Sequence, residues 1–267
     1  MSYEFYRHLS DGQLLFLIPA FSVGIMFALS WGLRKTAWAR KLIGYDEVLL
    51  DSATSNTMAG AYVVLGFVLV LAMTTVTDLE NGVSEEATAI KSLERLLVLD
   101  GSSQALKSRE QLLGYTKSIL NDEWPVLPHG HGSSVTSSAL NELYMSIDLI
   151  VPLGAKDEVV YSKILDQSAR VAELRNKRNF SIESNLPHTF YVVSVLSILG
   201  FIIICALRLM EASATRAIAL SAQVIMLNLM FSAILIVDLP YLGDTTTSAE
   251  PLIKAYESMQ ERTLVKY

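Results

Sequence analysis

Four long runs of apolar residues stand out along the chain. They extend from Gln13 to Leu33, from Ser52 to Thr77, from Phe190 to Leu207 and from Ala217 to Val237, and no run contains a charged residue. Each holds about 20 residues, and at a rise of about 1.5 Å per residue such a helix crosses a hydrocarbon core of about 30 Å. Because the backbone must satisfy its own hydrogen bonds in lipid, the runs predict four transmembrane helices.

The segment between the second and third runs, residues 78–188, carries most of the charge and has the spacing of amphipathic helices. Its first apolar face consists of Val83, Ala87, Ile90, Leu93 and Leu97. Turn-forming residues separate further helices, which are predicted over 104–124, 135–151 and 156–178. Leu106 belongs to the apolar side expected for the first of these. An extension of the last one into the third run, with a kink at Pro187, stays open.

The predicted fold is an all-α membrane protein, with a helical extramembrane domain inserted between the second and third transmembrane helices. The sequence has no alternating pattern of the kind that predicts β-strands, which is consistent with this class. The expected domains are residues 1–77, 78–188, 189–237 and 238–267. The last is an amphipathic helix, which either packs on the helical domain or contacts another subunit. Its apolar face is Leu252, Ile253, Tyr256 and Met259.

Composition supports a membrane location and excludes several other classes. Of the 267 residues 51% are hydrophobic and only 18% are charged, and the mean hydropathy is +0.38. These values exclude a disordered chain, and a net charge of −6 argues against nucleic-acid binding. The single cysteine, Cys205, cannot form an internal disulfide. We therefore expect the lipid bilayer, and no nucleic acid, as a partner.

Basic residues in the short loops predict the orientation. Those between the first and second runs and between the third and fourth runs are Arg34, Lys35, Arg40, Lys41, Arg208 and Arg216. The positive-inside rule places both loops in the cytoplasm, and hence the helical domain on the outer side of the plasma (inner) membrane. The basic residues Arg175, Lys177 and Arg178, just before the third run, argue against that orientation.

Short motifs spread over most of the chain, from about residue 52 to residue 252, carry a resemblance. They include Gly114-Tyr115 and Asp122-Glu123-Trp124-Pro125, and their principal residues are Glu86, Trp124, Arg175, Arg178, Pro187, Asp238, Pro240 and Gly243. Together they resemble the bestrophin-like family of bacterial-type membrane proteins, which is remotely related to the bestrophins. The resemblance implies a homo-oligomeric ion channel, because bestrophins are pentameric channels with four membrane helices per subunit.

The second run contains a stripe that suits a pore. At intervals of three, four or seven residues it presents Gly60, Val64, Phe67, Leu71, Thr74, Asp78 and Glu85, with Glu86 adjacent. In a ring of subunits Phe67 and Leu71 would form an apolar constriction, and the acids would form rings that favour cations. The alternative is ordinary helix packing, with the acids on a solvated helix.

Other polar residues offer weaker signals. In the fourth run Gln223 and Asn228 are expected to form hydrogen bonds between helices. Asp238 is expected to stabilise the end of that run, with Arg175 or Arg178 as possible partners. His129 and His131 have the spacing of a metal pair, but a surface loop is the simpler interpretation.

Two functions follow from the sequence. The first is a homo-oligomeric (pentameric) ion channel that passes small ions, with the second transmembrane helix lining the pore. The alternative is a non-conducting membrane sensor or scaffold whose helical domain binds a partner. We expect no enzyme activity, catalytic residue, metal or cofactor, because the common motifs for such sites are absent from the sequence.

Overall fold

The computed structural model describes residues 10–36, 47–181, 186–210, 212–239, 241 and 246–264. Every regular element in these ranges is a helix. Eight are α-helices: α1 (Asp11–Arg34), α2 (Glu47–Asp100), α3 (Ser103–Ser118), α4 (Ser134–Asp148), α5 (Ala155–Phe180), α6 (His188–Leu209), α7 (Ala214–Val237) and α8 (Glu250–Leu264). Four of the residues predicted above to have roles, Arg40, Lys41, Pro240 and Gly243, lie outside these ranges.

The prediction of four membrane helices is confirmed at the level of length and composition. Helices α1, α2, α6 and α7 are each long and apolar enough to cross a bilayer. The first begins with a capping box, in which Ser10 and Gln13 satisfy each other's backbone N–H groups. Its length of 24 residues gives a helix of about 36 Å.

Helix α2 continues far beyond its apolar run. It has 54 residues, which corresponds to about 80 Å, and Asp78 does not interrupt it. The chain divides into two compact units within this helix, between Thr75 and Val76. We call residues 1–75 and 184–245 the membrane unit, and residues 76–183 and 246–267 the helical unit.

The membrane unit has its own apolar core. Helix α1 packs against both α6 and α7. Among the most deeply buried side chains are Met26, Leu65, Phe201, Val224 and Leu227. The ends of three helices also meet through polar contacts. Arg34 donates to the Leu209 carbonyl oxygen at 3.0 Å, and Arg208 forms an ion pair with Asp51.

The helical unit is a bundle of α3, α4, α5 and the C-terminal half of α2. Side-chain bonds join these helices in the order α2, α3, α4, α5 and back to α2. The bonded pairs are Glu94–Arg109, Gln104–Ser146, Tyr144–Ser168 and Arg170–Glu85. The predicted apolar face of α2, from Val83 to Leu97, is buried in the core of this bundle.

Helix α8 packs on this same core, as the first interpretation of the C-terminal tail held. Leu252, Ala255 and Met259 are fully buried. Arg109 donates to the Met259 carbonyl oxygen at 2.9 Å. Ile253, which was assigned to the apolar face, is instead 41% exposed.

Two sequence expectations in the helical unit are wrong in detail, and one alternative that the sequence left open is decided. The helix predicted to reach Trp124 ends at Ser118 and is followed by a π-helix, Ile119–Glu123, and a 3-10 helix, Trp124–His129. Pro125 lacks an N–H, and its ring would clash with the carbonyl four residues earlier, so the α-helical pattern cannot continue there. Leu106 is 48% exposed. Helix α5 does not extend into α6, because it ends at Phe180 and α6 begins at His188.

Candidate functional site

A buried ion network joins three distant parts of the helical unit. Glu86 lies on α2, Glu123 ends the π-helix, and Arg175 and Arg178 lie one turn apart on α5. All four are at least 94% buried. Since residues three apart on a helix lie on the same face, both arginines of α5 point into the bundle. Two glutamates and two arginines give the network balanced formal charges.

Arg178 bridges the two carboxylates. Its Nε donates to Glu86 Oε2 at 2.8 Å, and its Nη2 donates to Glu123 Oε1 at 2.8 Å. Arg175 contacts Glu123 through both Nε and Nη2, and its Nη2 also donates to Ser137 Oγ at 3.0 Å. Paired contacts of this kind are the strong form of a charged hydrogen bond. The network therefore fixes α5 against α2, α4 and the π-helix.

The two arginines determine the protonation of Glu123. Burial alone raises the pKa of this carboxyl, but the hydrogen bond from Arg175 and the charge of Arg178 outweigh it and hold the pKa below its ordinary value. Burial also acts against the charged form of Arg178. The neighbouring Glu86 and Glu123 nevertheless raise the pKa of its guanidinium above the ordinary value. Both groups are therefore charged at neutral pH.

Two aromatic residues enclose the network. The Trp124 ring centroid lies 5.7 Å from Arg178 Cζ, a distance suited to a cation–π contact. Tyr115 is fully buried, and burial together with the charge of Glu86 raises the pKa of its phenol well above the ordinary value. Within the described part of the chain, Tyr115 Oη and Arg178 Nη1 have no hydrogen-bond partner. The network is thus a buried set of paired charged groups, with the neutral Tyr115 phenol beside it.

Four of the motif residues named from the sequence thus converge: Glu86, Trp124, Arg175 and Arg178. Sequence reasoning did not place Glu123 in an ion network, although it lies in the quoted motif Asp122-Glu123-Trp124-Pro125. The signal that points to it is the pair of arginines on one face of α5, which requires more than one carboxylate.

A second candidate site is the exposed side of α2. Phe67 is 70% exposed, and Thr74, Asp78 and Glu85 are also exposed. Val64 and Leu71, which the sequence placed in the same stripe, are only half-exposed. The exposed apolar residues about one turn before and after Phe67 are instead Val63 and Val70, at 73% and 66% exposure. We call this row of exposed residues the α2 line.

The acids of the predicted stripe have different surroundings. Glu85 pairs at 2.8 Å with Arg170, which is also exposed. Glu86 is fully buried in the ion network of its own subunit. We therefore leave Glu86 out of the pore proposed below. Beside Glu85 a shallow groove of about 620 Å³ separates α2 from α5 and is lined by Asn81, Ser84, Glu85, Thr88, Ala89, Ser92, Gln167 and Arg170.

The polar residues of α7 form the contacts expected between helices, with one difference. Ser22 of α1 donates to Asn228 Oδ1 at 2.8 Å. Gln223 is half-buried, and its Oε1 has no partner among the described residues. The Asp238 carboxylate accepts the Leu186 N–H at 3.1 Å and the Tyr191 hydroxyl. Arg175 and Arg178, suggested as its partners, bind Glu123 and Glu86 instead.

Pro187 and the two histidines complete the predicted positions. Pro187 precedes α6 as its N-cap residue. His129 ends the 3-10 helix, and its ring centroid lies 6.4 Å from that of His131. The described residues contain no group of three or more histidine, cysteine, aspartate or glutamate side chains that could hold a metal ion.

Comparison with known proteins identifies the family. A model described as "Bestrophin-like domain" matches residues 57–252, which is most of the chain. A crystal structure of a membrane protein aligns with 92% of this chain and 98% of its own length, with a TM-score of 0.70 and 9% sequence identity. At that identity the likeness shows a shared fold only. A comparison with curated proteins gave no match. The family match confirms the resemblance found in the sequence motifs, and the chain belongs to the Bestrophin-like family of membrane proteins.

Proposed function

We propose that this protein is a homo-oligomeric, pentameric ion channel of the inner membrane in which α2 of each subunit lines the pore. Family membership supports the proposal, because the family's name links it to pentameric channels. In this arrangement the helical unit is an extramembrane domain, inserted in sequence between the second and third membrane helices.

The observation that carries the proposal is the pattern along the exposed side of α2. The middle of the line is apolar, at Val63, Phe67 and Val70. Both ends are polar and exposed, with Ser52 and Asn56 on one side and Thr74, Thr77 and Asp78 on the other. A face that met only lipid would avoid an exposed amide such as Asn56 within a membrane helix. A pore with an apolar constriction and polar entrances has this pattern.

Five copies of this line give a specific arrangement. Phe67 forms the centre of the constriction, flanked by Val63 and Val70. Asp78 supplies an acidic ring, which favours cations. Glu85 is paired with Arg170 and contributes less to that ring than an unpaired carboxylate would.

Two measurements on the purified protein test this function. Mass photometry in detergent gives the number of subunits, and planar bilayers report conduction. We expect pentamers that conduct, and a larger single-channel conductance for Phe67→Ala because the constriction widens. Leu196→Ala is the matched control, since Leu196 is a similarly exposed residue of α6 (62%) outside the proposed pore. A monomer in detergent or silent bilayers would contradict the proposal, and a silent pentamer would favour the sensor or scaffold function.

The orientation belongs to the same proposal. Contacts among Arg34, Leu209, Arg208 and Asp51 gather the C-terminal ends of α1 and α6 and the start of α2 at one end of the membrane unit. The positive-inside rule assigns that end to the cytoplasm and the helical unit to the outside. Labelling of a cysteine introduced at His131, an exposed residue in the loop before α4, tests it. We expect an impermeant reagent to react from outside the cell, whereas reaction only from the cytoplasmic side of inverted vesicles would reverse the topology.

A further inference from the structure

The end of the helical unit formed by the α2–α3 and α4–α5 turns exposes two apolar patches. The first, on α4, the following turn and α5, consists of Met145, Leu149, Val151, Leu153 and Val159, with exposures from 56% to 91%. The second, on α2 and α3, consists of Val98, Leu99 and Leu106, with exposures from 40% to 65%. Clusters of exposed large apolar residues outside a membrane span mark interaction surfaces. We call them the α4–α5 patch and the α2–α3 patch.

The two patches lie on different helix pairs of the bundle. Hydrogen bonds and ion pairs between neighbours join the helices in the order α2, α3, α4, α5. Helix α8 packs beside α2 and α3, because Arg109 donates to the Met259 carbonyl oxygen and Arg262 pairs with Glu94 at 3.1 Å. The α2–α3 patch is therefore the part of this side that α8 leaves exposed.

The charges around the patches are complementary. Residues 142–159 include four exposed acids, Glu142, Asp148, Asp157 and Glu158, against one lysine, Lys156. Residues 91–107 include Lys91, Arg95 and Lys107 against Asp100 and Glu94. Glu94 is fully buried and paired with Arg109 and Arg262, which leaves three basic residues against Asp100 in this segment, with the exposed Glu110 one turn beyond Leu106.

We propose that the α4–α5 patch of one subunit binds the α2–α3 patch of the next subunit. The occupant of each patch is thus a second copy of this chain. Two copies of the acidic patch would repel each other, which disfavours a symmetric contact. A contact between two different surfaces repeats around a ring, and rings form when the rotation closes. The inference rests on the proposed homo-oligomer and names the surface that holds its helical units together.

Disulfide trapping of the full-length protein in membranes tests the contact. Leu99 and Leu153 are 65% and 91% exposed, so cysteines there should not disturb the core. The native Cys205 is fully buried in α6 and should not react. We expect the double variant Leu99→Cys with Leu153→Cys to give a ladder of cross-linked subunits on oxidation. Each single variant should give none.

A control pair and a charge exchange sharpen the test. Leu99→Cys with Val135→Cys should give no ladder, because Val135 is also exposed (56%) but lies at the other end of α4. Asp148→Lys with Asp157→Lys should abolish the ladder of the trapping pair, and adding Arg95→Glu with Lys107→Glu should restore it.

The alternative outcomes are distinct. Dimers from either single cysteine variant, or equal cross-linking of the control pair, would overturn the head-to-tail contact. Oligomers by mass photometry without a ladder would overturn this contact and leave the proposed channel intact. Monomers by mass photometry would remove the proposed function together with the contact.

Discussion

At the scale of single residues, two adjacent glutamates of α2 have opposite surroundings. Glu85 is exposed and pairs with an exposed arginine, whereas Glu86 is fully buried against Arg178. Removing one partner of a buried pair leaves an uncompensated charge in the interior and costs about 3–5 kcal/mol. We therefore expect Glu86→Ala to lower the melting temperature of the detergent-solubilised protein strongly. Glu85→Ala is the control and should change it little. Similar losses for the two variants would contradict the buried network.

The lowered pKa of Glu123 gives a pH dependence. A carboxyl whose pKa is lower in the folded than in the unfolded state stabilises the fold above its unfolded value, about 4.5, and loses this effect as the pH falls through the lowered value. The melting temperature of the wild type should therefore fall in acid below about pH 4.5. Glu123→Gln should be less stable at pH 7 and should lose less stability in acid. Parallel curves for the two proteins would show that Glu123 has no part in the acid transition.

At the scale of elements, alanine substitutions at two glycines, one just before α3 and one inside it, should change the stability of the protein in opposite directions. Gly101 ends α2 with a φ of 68°, which an L-residue adopts at a cost of about 1–2 kcal/mol. Gly114 lies inside α3, and no atom stands within 4 Å of where its Cβ would be. Gly101→Ala should therefore destabilise the protein, and Gly114→Ala should stabilise it by about 0.5–1 kcal/mol. Melting curves of both variants check the signs, and a stable Gly101→Ala would refute the left-handed helix end.

The same elements indicate how far the sequence could predict the fold. Apolar length and three-to-four spacing are local properties, and they were enough for the membrane helices and for the buried face from Val83 to Leu97. The π-helix at 119–123 was not predictable in this way, because the register after Ser118 depends on Pro125 and on the arginines that Glu123 meets. The exposed side of α2 contains Val63 and Val70 rather than the predicted Val64 and Leu71, since periodicity alone does not say which side of a membrane helix its neighbours cover.

At the scale of the whole molecule, a buried network is combined with exposed apolar surfaces. The ion network of Glu86, Glu123, Arg175 and Arg178 joins separate elements of the helical unit, and four of the family-motif residues lie at it. The exposed side of α2 and the two patches of the helical unit are surfaces that a lone subunit leaves unused. In the proposed channel these surfaces would be contacts between subunits and the lining of the pore.

The most direct test of the central claim is cysteine scanning of α2 with current as the readout. Single cysteines at Val63, Phe67, Val70 and Thr74 lie on the exposed line, whereas those at Leu65, Val68 and Ala72 lie on the buried side. A thiol reagent added to conducting bilayers should block current at the first set and leave the second unchanged, with Leu196→Cys of α6 unaffected. Block that ignored this alternation, or that occurred at Leu196→Cys and not on α2, would contradict a pore lined by α2.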